Sequence, residues 1–159
     1  MKLINQTQFP DTHLRKIISW CRTEIGLPAR DLRTAKVSYT RKGKLFRGFG
    51  TPTGIRVAIA RHDLGYPYED SRKGSEHVLA DRLEAFVSLI AHEIEHVRQF
   101  KAGVFRQLRE NRTLEPRTRA AASRVLETFR ARRPVLEVEW TMQTPPVANE
   151  RTDRHAHND

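Results

Sequence analysis

The stretch Ala91-His92-Glu93-Ile94-Glu95-His96-Val97 sets two histidines four residues apart. On a helix both imidazoles then leave the same face, one turn apart. Glu93 sits beside the first of them, which completes the pattern H-E-x-x-H. Each residue type has a chemical reason to be there. Neutral imidazoles donate nitrogen to Zn²⁺, and a neighbouring carboxylate can take a proton from water activated by the metal and pass it to a leaving amine. The helix is indicated independently of the motif. Leu83, Phe86, Val87, Ile90, Ile94 and Val97 recur at helical spacing, and His92 and His96 fall at the edge of that apolar stripe, in line with Ala85 and Leu89. A half-buried edge suits a metal site.

The bulk composition bounds the rest. A length of 159 residues fits one domain with one core. The expected division is a domain over residues 1–140 and a disordered polar tail over 141–159, where Pro145-Pro146 opens a run of polar residues. No run of apolar residues is long enough to span a membrane, and the first eight residues lack the apolar core of a secretory signal. Cys21 is the single cysteine, so no internal disulfide can form, and a cytoplasmic setting is the default expectation. Set among Ile17, Ile18, Trp20 and Ile25, it reads as a core residue. The net charge of +10 and a pI near 10.5 suit a polyanion such as nucleic acid. The arginines are nevertheless spread from Arg15 to Arg154 and form no single arm.

Along the chain, residues 12–26 read as a helix with Leu14, Ile17, Ile18, Cys21 and Ile25 on its apolar face and Gly26 closing it. Residues 36–40 and 45–50 read as a hairpin across the basic turn Arg41-Lys42-Gly43-Lys44, with Gly48 and Gly50 weakening the second strand. Ile55-Arg56-Val57-Ala58-Ile59-Ala60 alternates cleanly and is the best strand signal. Residues 62–74 look irregular, and the central helix is expected over 76–102 with Ser75 as its cap. A further helix is expected to begin at Pro116 and stop before Pro134, its core face carrying Ala121, Ala122, Val125, Leu126 and Phe129. Residues 135–140 suit a short strand or a helical extension.

Helix, small sheet, H-E-x-x-H helix and a following helix is an order that resembles the zincin metallopeptidases. The resemblance rests on His92, Glu93 and His96 and on the strand upstream of them. It implies an α+β fold with a small, mostly antiparallel sheet whose edge strand, here residues 55–60, holds an extended peptide beside the zinc. The small size is similar to that of SprT-like and other minimal phage or bacterial zincins.

A catalytic zinc generally keeps three protein ligands, and the resemblance implies where the third lies. The metzincin pattern needs glycine and histidine where Gln99 and Ala102 stand, so that branch is excluded. SprT-like proteins take a downstream histidine, but only His155 and His157 follow His96. Gluzincins use a glutamate on the next helix, which leaves Glu115, Glu127 and Glu110, in that order of fit. Pro116 implies that Glu115 would act from the helix N-cap. His62, Tyr66 and Tyr68 are the polar loop groups that could face a developing oxyanion, while Glu95 reads as a solvated partner for Arg98.

The function implied is a zinc-dependent peptidase acting on peptides or proteins, with His92, His96 and Glu115 as ligands and Glu93 as general base. The competing reading is a zincin scaffold without peptidase activity that binds nucleic acid or a protein partner through its arginine-rich surface. A metal hydrolase acting on a non-peptide amide is a third.

Overall fold

The computed structural model describes residues 1–40, 46–61, 65–70, 74, 77–104 and 111–141, with side chains described from 114 to 137 in the last of these. The chain is α+β. Strand β1 (Lys2–Gln6) leads into helix α1 (Asp11–Ile25), and a short 3-10 turn (Ala29–Asp31) leads to β2 (Thr34–Tyr39). Then come β3 (Phe46–Thr51), β4 (Gly54–Ile59), a small pair β5 (Tyr68–Asp70) and β6 (His77–Leu79), and helices α2 (Arg82–Lys101) and α3 (Asn111–Thr141).

The main sheet has the order β1-β2-β4-β3, and this corrects the expected hairpin. Strands β2 and β3 are neighbours in sequence but not in space, because β4 lies between them, parallel to β2 and antiparallel to β3. The sheet is mixed rather than mostly antiparallel, since β1 also pairs parallel with β2. β1 gives almost no sequence signal: among its inward residues only Leu3 is apolar. β4 takes the interior because Ile55, Val57 and Ile59 are all buried on one face, while β3 turns Phe46, Gly48 and Gly50 inward and can fill little space. The strand predicted as the substrate edge is therefore an inner strand, and β1 and β3 are the edges.

The buried side chains of the main sheet lie on one side, where α1 and α2 cover them. Leu14, Ile17, Ile18 and Cys21 of α1, each 3% exposed or less, meet Ala35, Val37 and the β4 row together with Phe86, Val87, Ile90 and Ile94 of α2. Cys21 is a core residue as expected, and burial pushes its thiol pKa well up. α3 packs behind α1 and α2 through Ala122, Val125, Leu126, Phe129 and Leu136. Among the described residues no helix is long and apolar enough to cross a membrane.

Helix boundaries differ from expectation for identifiable reasons. α2 starts at Arg82 rather than 76, because Asp81 caps it: its Oδ1 accepts from the Glu84 N–H at 2.9 Å, and Glu84 Oε2 reaches back to the Ala80 N–H at 2.9 Å. The expected cap, Ser75, lies outside the described residues. α3 runs through Pro116 and Pro134 instead of being bounded by them. Each proline removes one helical hydrogen bond, and the buried side chains on either side, Leu114 and Leu136, hold the axis through the gaps. Residues 135–140 are thus a helical extension. Arg130 ties α3 to the start of α2 by its ion pair to the buried Glu84.

Asp81 also accepts Arg133 at 2.7 Å. Burial alone would raise its carboxyl pKa, but the Glu84 N–H and Arg133 overcome that and hold it below the ordinary value of 3.8. Its ionic contribution is therefore complete above that value and fades as the pH falls through the lower folded one. In urea titrations Asp81→Ala should cost about 1 kcal/mol near neutrality. Asp81→Asn should show a smaller deficit that closes in acid, whereas a deficit independent of pH would contradict the ionic role.

Candidate metal centre

α2 presents His92 and His96 one turn apart, with their Nε2 atoms 3.2 Å from each other. Glu115 of α3 closes the group: its Oε1 lies 3.2 Å from His96 Nε2 and its Oε2 3.5 Å from His92 Nε2. One ligand atom from each residue lies within 4.8 Å of the others. Glu115 sits inside α3 rather than at an N-cap, because the helix begins at Asn111. Of the other glutamates considered, Glu127 is exposed on α3 away from this group. Glu110, His62 and the tail histidines His155 and His157 lie outside the described residues.

The hydrogen bonds behind His96 determine which of its nitrogens faces Glu115. Gln99 Nε2 donates to Glu95 Oε1 at 3.2 Å and to Thr118 Oγ1 at 2.8 Å. The carboxylate can only accept, so the amide nitrogen must point to it and the amide oxygen must face His96. Gln99 Oε1 stands 3.2 Å from His96 Nδ1, which therefore carries a proton, so that Nε2, the nitrogen facing Glu115, is the one a metal would take in place of its proton. Thr118 is fully buried and spends its own proton on the Leu114 carbonyl at 3.0 Å. Arg98 grips both oxygens of Glu95 at 2.7 Å. Glu95 is 4% exposed, so Arg98 is its partner as expected but the carboxylate is buried, not solvated. The network links α2 to α3 within one turn of Glu115.

Glu93 points from α2 toward β3, and here two glycines are required. A Cβ on Gly48 would lie 2.2 Å from Glu93 Oε1, and one on Gly50 would lie 2.7 Å from His96 Cβ and 3.0 Å from the Glu93 backbone oxygen. The strand rests directly on the helix, and the Gly50 backbone N–H donates to the Glu93 carboxylate. Glu93 is 4% exposed. Burial raises its pKa to about 7, with the His96 charge and the Gly50 hydrogen bond opposing and Glu115 assisting the rise. His96 is raised even though burial opposes it, because the Glu115 hydrogen bond and the Glu93 charge favour the imidazolium. Glu115 is lowered, chiefly by its hydrogen bond from His96.

A cavity of about 200 Å³ opens beside His92 and Glu93, with Gly48, Asp70, Ser88 and Arg119 among its walls. Arg119 lies one turn beyond Glu115, 3.5 Å from its Oε2, and Asp70 is 3% exposed. Sequence reasoning did not single out either residue. The i,i+4 spacing from Glu115 would have indicated Arg119, whereas Asp70 sits in a stretch that looked irregular. Tyr66 and Tyr68 pack against the core instead, Tyr68 edge-on to Phe46 at 5.4 Å.

Comparison with protein-family models, curated proteins and solved structures finds no match to the chain. The chemistry has to be read from these residues alone. The donor set fits a divalent cation of the zinc kind: two imidazole Nε2 atoms and a carboxylate converge on one point, with the Nδ1 of one imidazole engaged by Gln99 so that Nε2 is left as the ligating nitrogen. If Gln99 holds Nδ1 in this way, Gln99→Leu should weaken zinc binding by about 10- to 100-fold in a chelator-competition titration. Unchanged affinity would remove Gln99 from the site.

Proposed function

We propose that the chain is a zinc-dependent metallopeptidase, with His92, His96 and Glu115 as the metal ligands and Glu93 as the general base. The observation that carries this reading is the convergence of His92 Nε2, His96 Nε2 and a Glu115 oxygen within 4.8 Å, with the Glu93 carboxylate on the adjoining turn. Zinc held by these donors supplies Lewis acidity toward water and a substrate carbonyl.

The chain's own groups would do the remainder. Glu93 is positioned by the Gly50 N–H and shielded from bulk water by β3. It would accept a proton from the attacking water and return it to the departing nitrogen. Arg119, on the cavity wall, carries a guanidinium that can donate to a substrate carbonyl or oxyanion. β3 is the edge of the sheet directly over α2, so an extended peptide could pair along its open side and run past Glu93. That supports a peptide or protein substrate over a small amide. A single buried thiol and no predicted disulfide suit a cytoplasmic setting.

The test is hydrolysis of an unfolded protein or a mixed fluorogenic peptide library by the zinc-loaded chain. Glu93→Gln should lower the rate by about 100-fold or more while the zinc content stays at the wild-type level. A variant as active as wild type, or a zinc-loaded wild type that cleaves nothing in the library, would contradict the assignment.

A further inference from the structure

The helices cover only one face of the main sheet. On the other face the pairing register lines up Ile4, Lys36, Arg56 and Phe49 in one row across all four strands. Lys2 and Arg47 stand in the rows on either side. The remaining outward positions of the paired segments are threonine, serine, glutamine, glycine and alanine, so the face carries lysine and arginine but no acid. Phe49 is 63% exposed, the most of any large hydrophobic residue described, and Arg56 is its cross-strand partner. Elsewhere the structure commits arginines to carboxylates, as in Arg98–Glu95, Arg130–Glu84 and Arg133–Asp81. Among the described residues Lys2, Lys36, Arg47 and Arg56 have no such ion pair.

We propose that this sheet face binds a single strand of nucleic acid. The phosphates lie along Lys2, Lys36, Arg56 and Arg47, and one base stacks on Phe49. Neighbouring strands are about 4.8 Å apart and successive residues rise about 3.3 Å, so the cations from Lys2 on β1 to Arg47 on β3, four residues along, span about 20 Å, enough for a short stretch of backbone. An exposed ring flanked by a guanidinium takes the face of an unpaired base, which a duplex keeps stacked inside; this favours a single strand over a double one. A lipid surface fits less well. One phenylalanine and one isoleucine at opposite ends of a hydrophilic row give little apolar area to bury in a membrane. Neither Glu93 nor any of the three metal-ligand candidates lies on this face; Arg47, at its edge, also borders the cavity beside His92 and Glu93, whereas Lys2, Lys36, Arg56 and Phe49 do not.

The test is fluorescence anisotropy of the full chain with labelled oligothymidylate and oligouridylate of roughly a dozen nucleotides and with a blunt DNA duplex, over a series of salt concentrations. Single strands should bind more tightly than duplex, and Phe49→Ala should weaken them about ten-fold. Arg47→Gln with Arg56→Gln removes two phosphate contacts and should flatten the slope of log affinity against log salt by about 1.4. Arg117→Gln with Arg124→Gln, exposed on α3, should leave both quantities near wild type. The proposal is overturned if the wild type binds no single strand at low salt or binds duplex equally well. It is also overturned if the α3 pair lowers the slope while the sheet pair does not, or if phosphatidylserine vesicles bind and oligonucleotides do not. Should Phe49→Ala fail to fold, the paired-arginine variant decides alone.

Discussion

Strand β3 lies on helix α2 with no side chain of its own at Gly48 and Gly50, and the candidate centre takes its shape from that contact. Any Cβ at these positions would meet Glu93 or His96, so a larger residue would have to push strand and helix apart. The close approach has three consequences. It buries the Glu93 carboxylate, gives it a backbone hydrogen-bond donor, and sets an open strand edge over the two histidines. Glycine in a strand ordinarily costs stability; here it is what lets the backbone of β3 approach α2.

A second constraint works from the opposite side. His96, Gln99, Glu95 and Thr118 form a buried chain of hydrogen bonds, ended by the exposed Arg98, in which each donor and acceptor role follows from the next. Buried polar groups of this kind are stable only when satisfied together. The chain therefore fixes the His96 ring and, through Thr118, the turn of α3 that carries Glu115. Gly48 and Gly50 locate Glu93, the polar chain locates Glu115, and the helix itself locates His92 and His96.

Much of the site was legible because helical periodicity is local. His92, Glu93 and His96 announce their common face by spacing, and Glu115, ranked first among the glutamates, is the one that meets them. α1, the core role of Cys21 and the strand character of β4 were equally plain. What failed was non-local. β1 has a single apolar inward residue and pairs with a strand far along the chain, so neither its existence nor the parallel pairing could be read. Gly48 and Gly50 looked like weak strand residues because the partner that needs them, α2, is distant in sequence. Pro116 and Pro134 looked like boundaries because tertiary packing of Leu114 and Leu136 is invisible to local rules. The N-cap position expected for Glu115 on account of Pro116 failed for the same reason, and Glu115 lies on the helix itself.

Two helices, α2 and α3, bring three candidate metal ligands to one point. Zinc per chain, measured by plasma mass spectrometry on metal-replete protein after exhaustive buffer exchange, tests that role most directly. One zinc in wild type and in Glu127→Gln, loss in His92→Ala and sharply reduced retention in Glu115→Gln are the predicted results. Protein that holds no zinc, or that holds it equally well without the Glu115 carboxylate, would contradict the assignment.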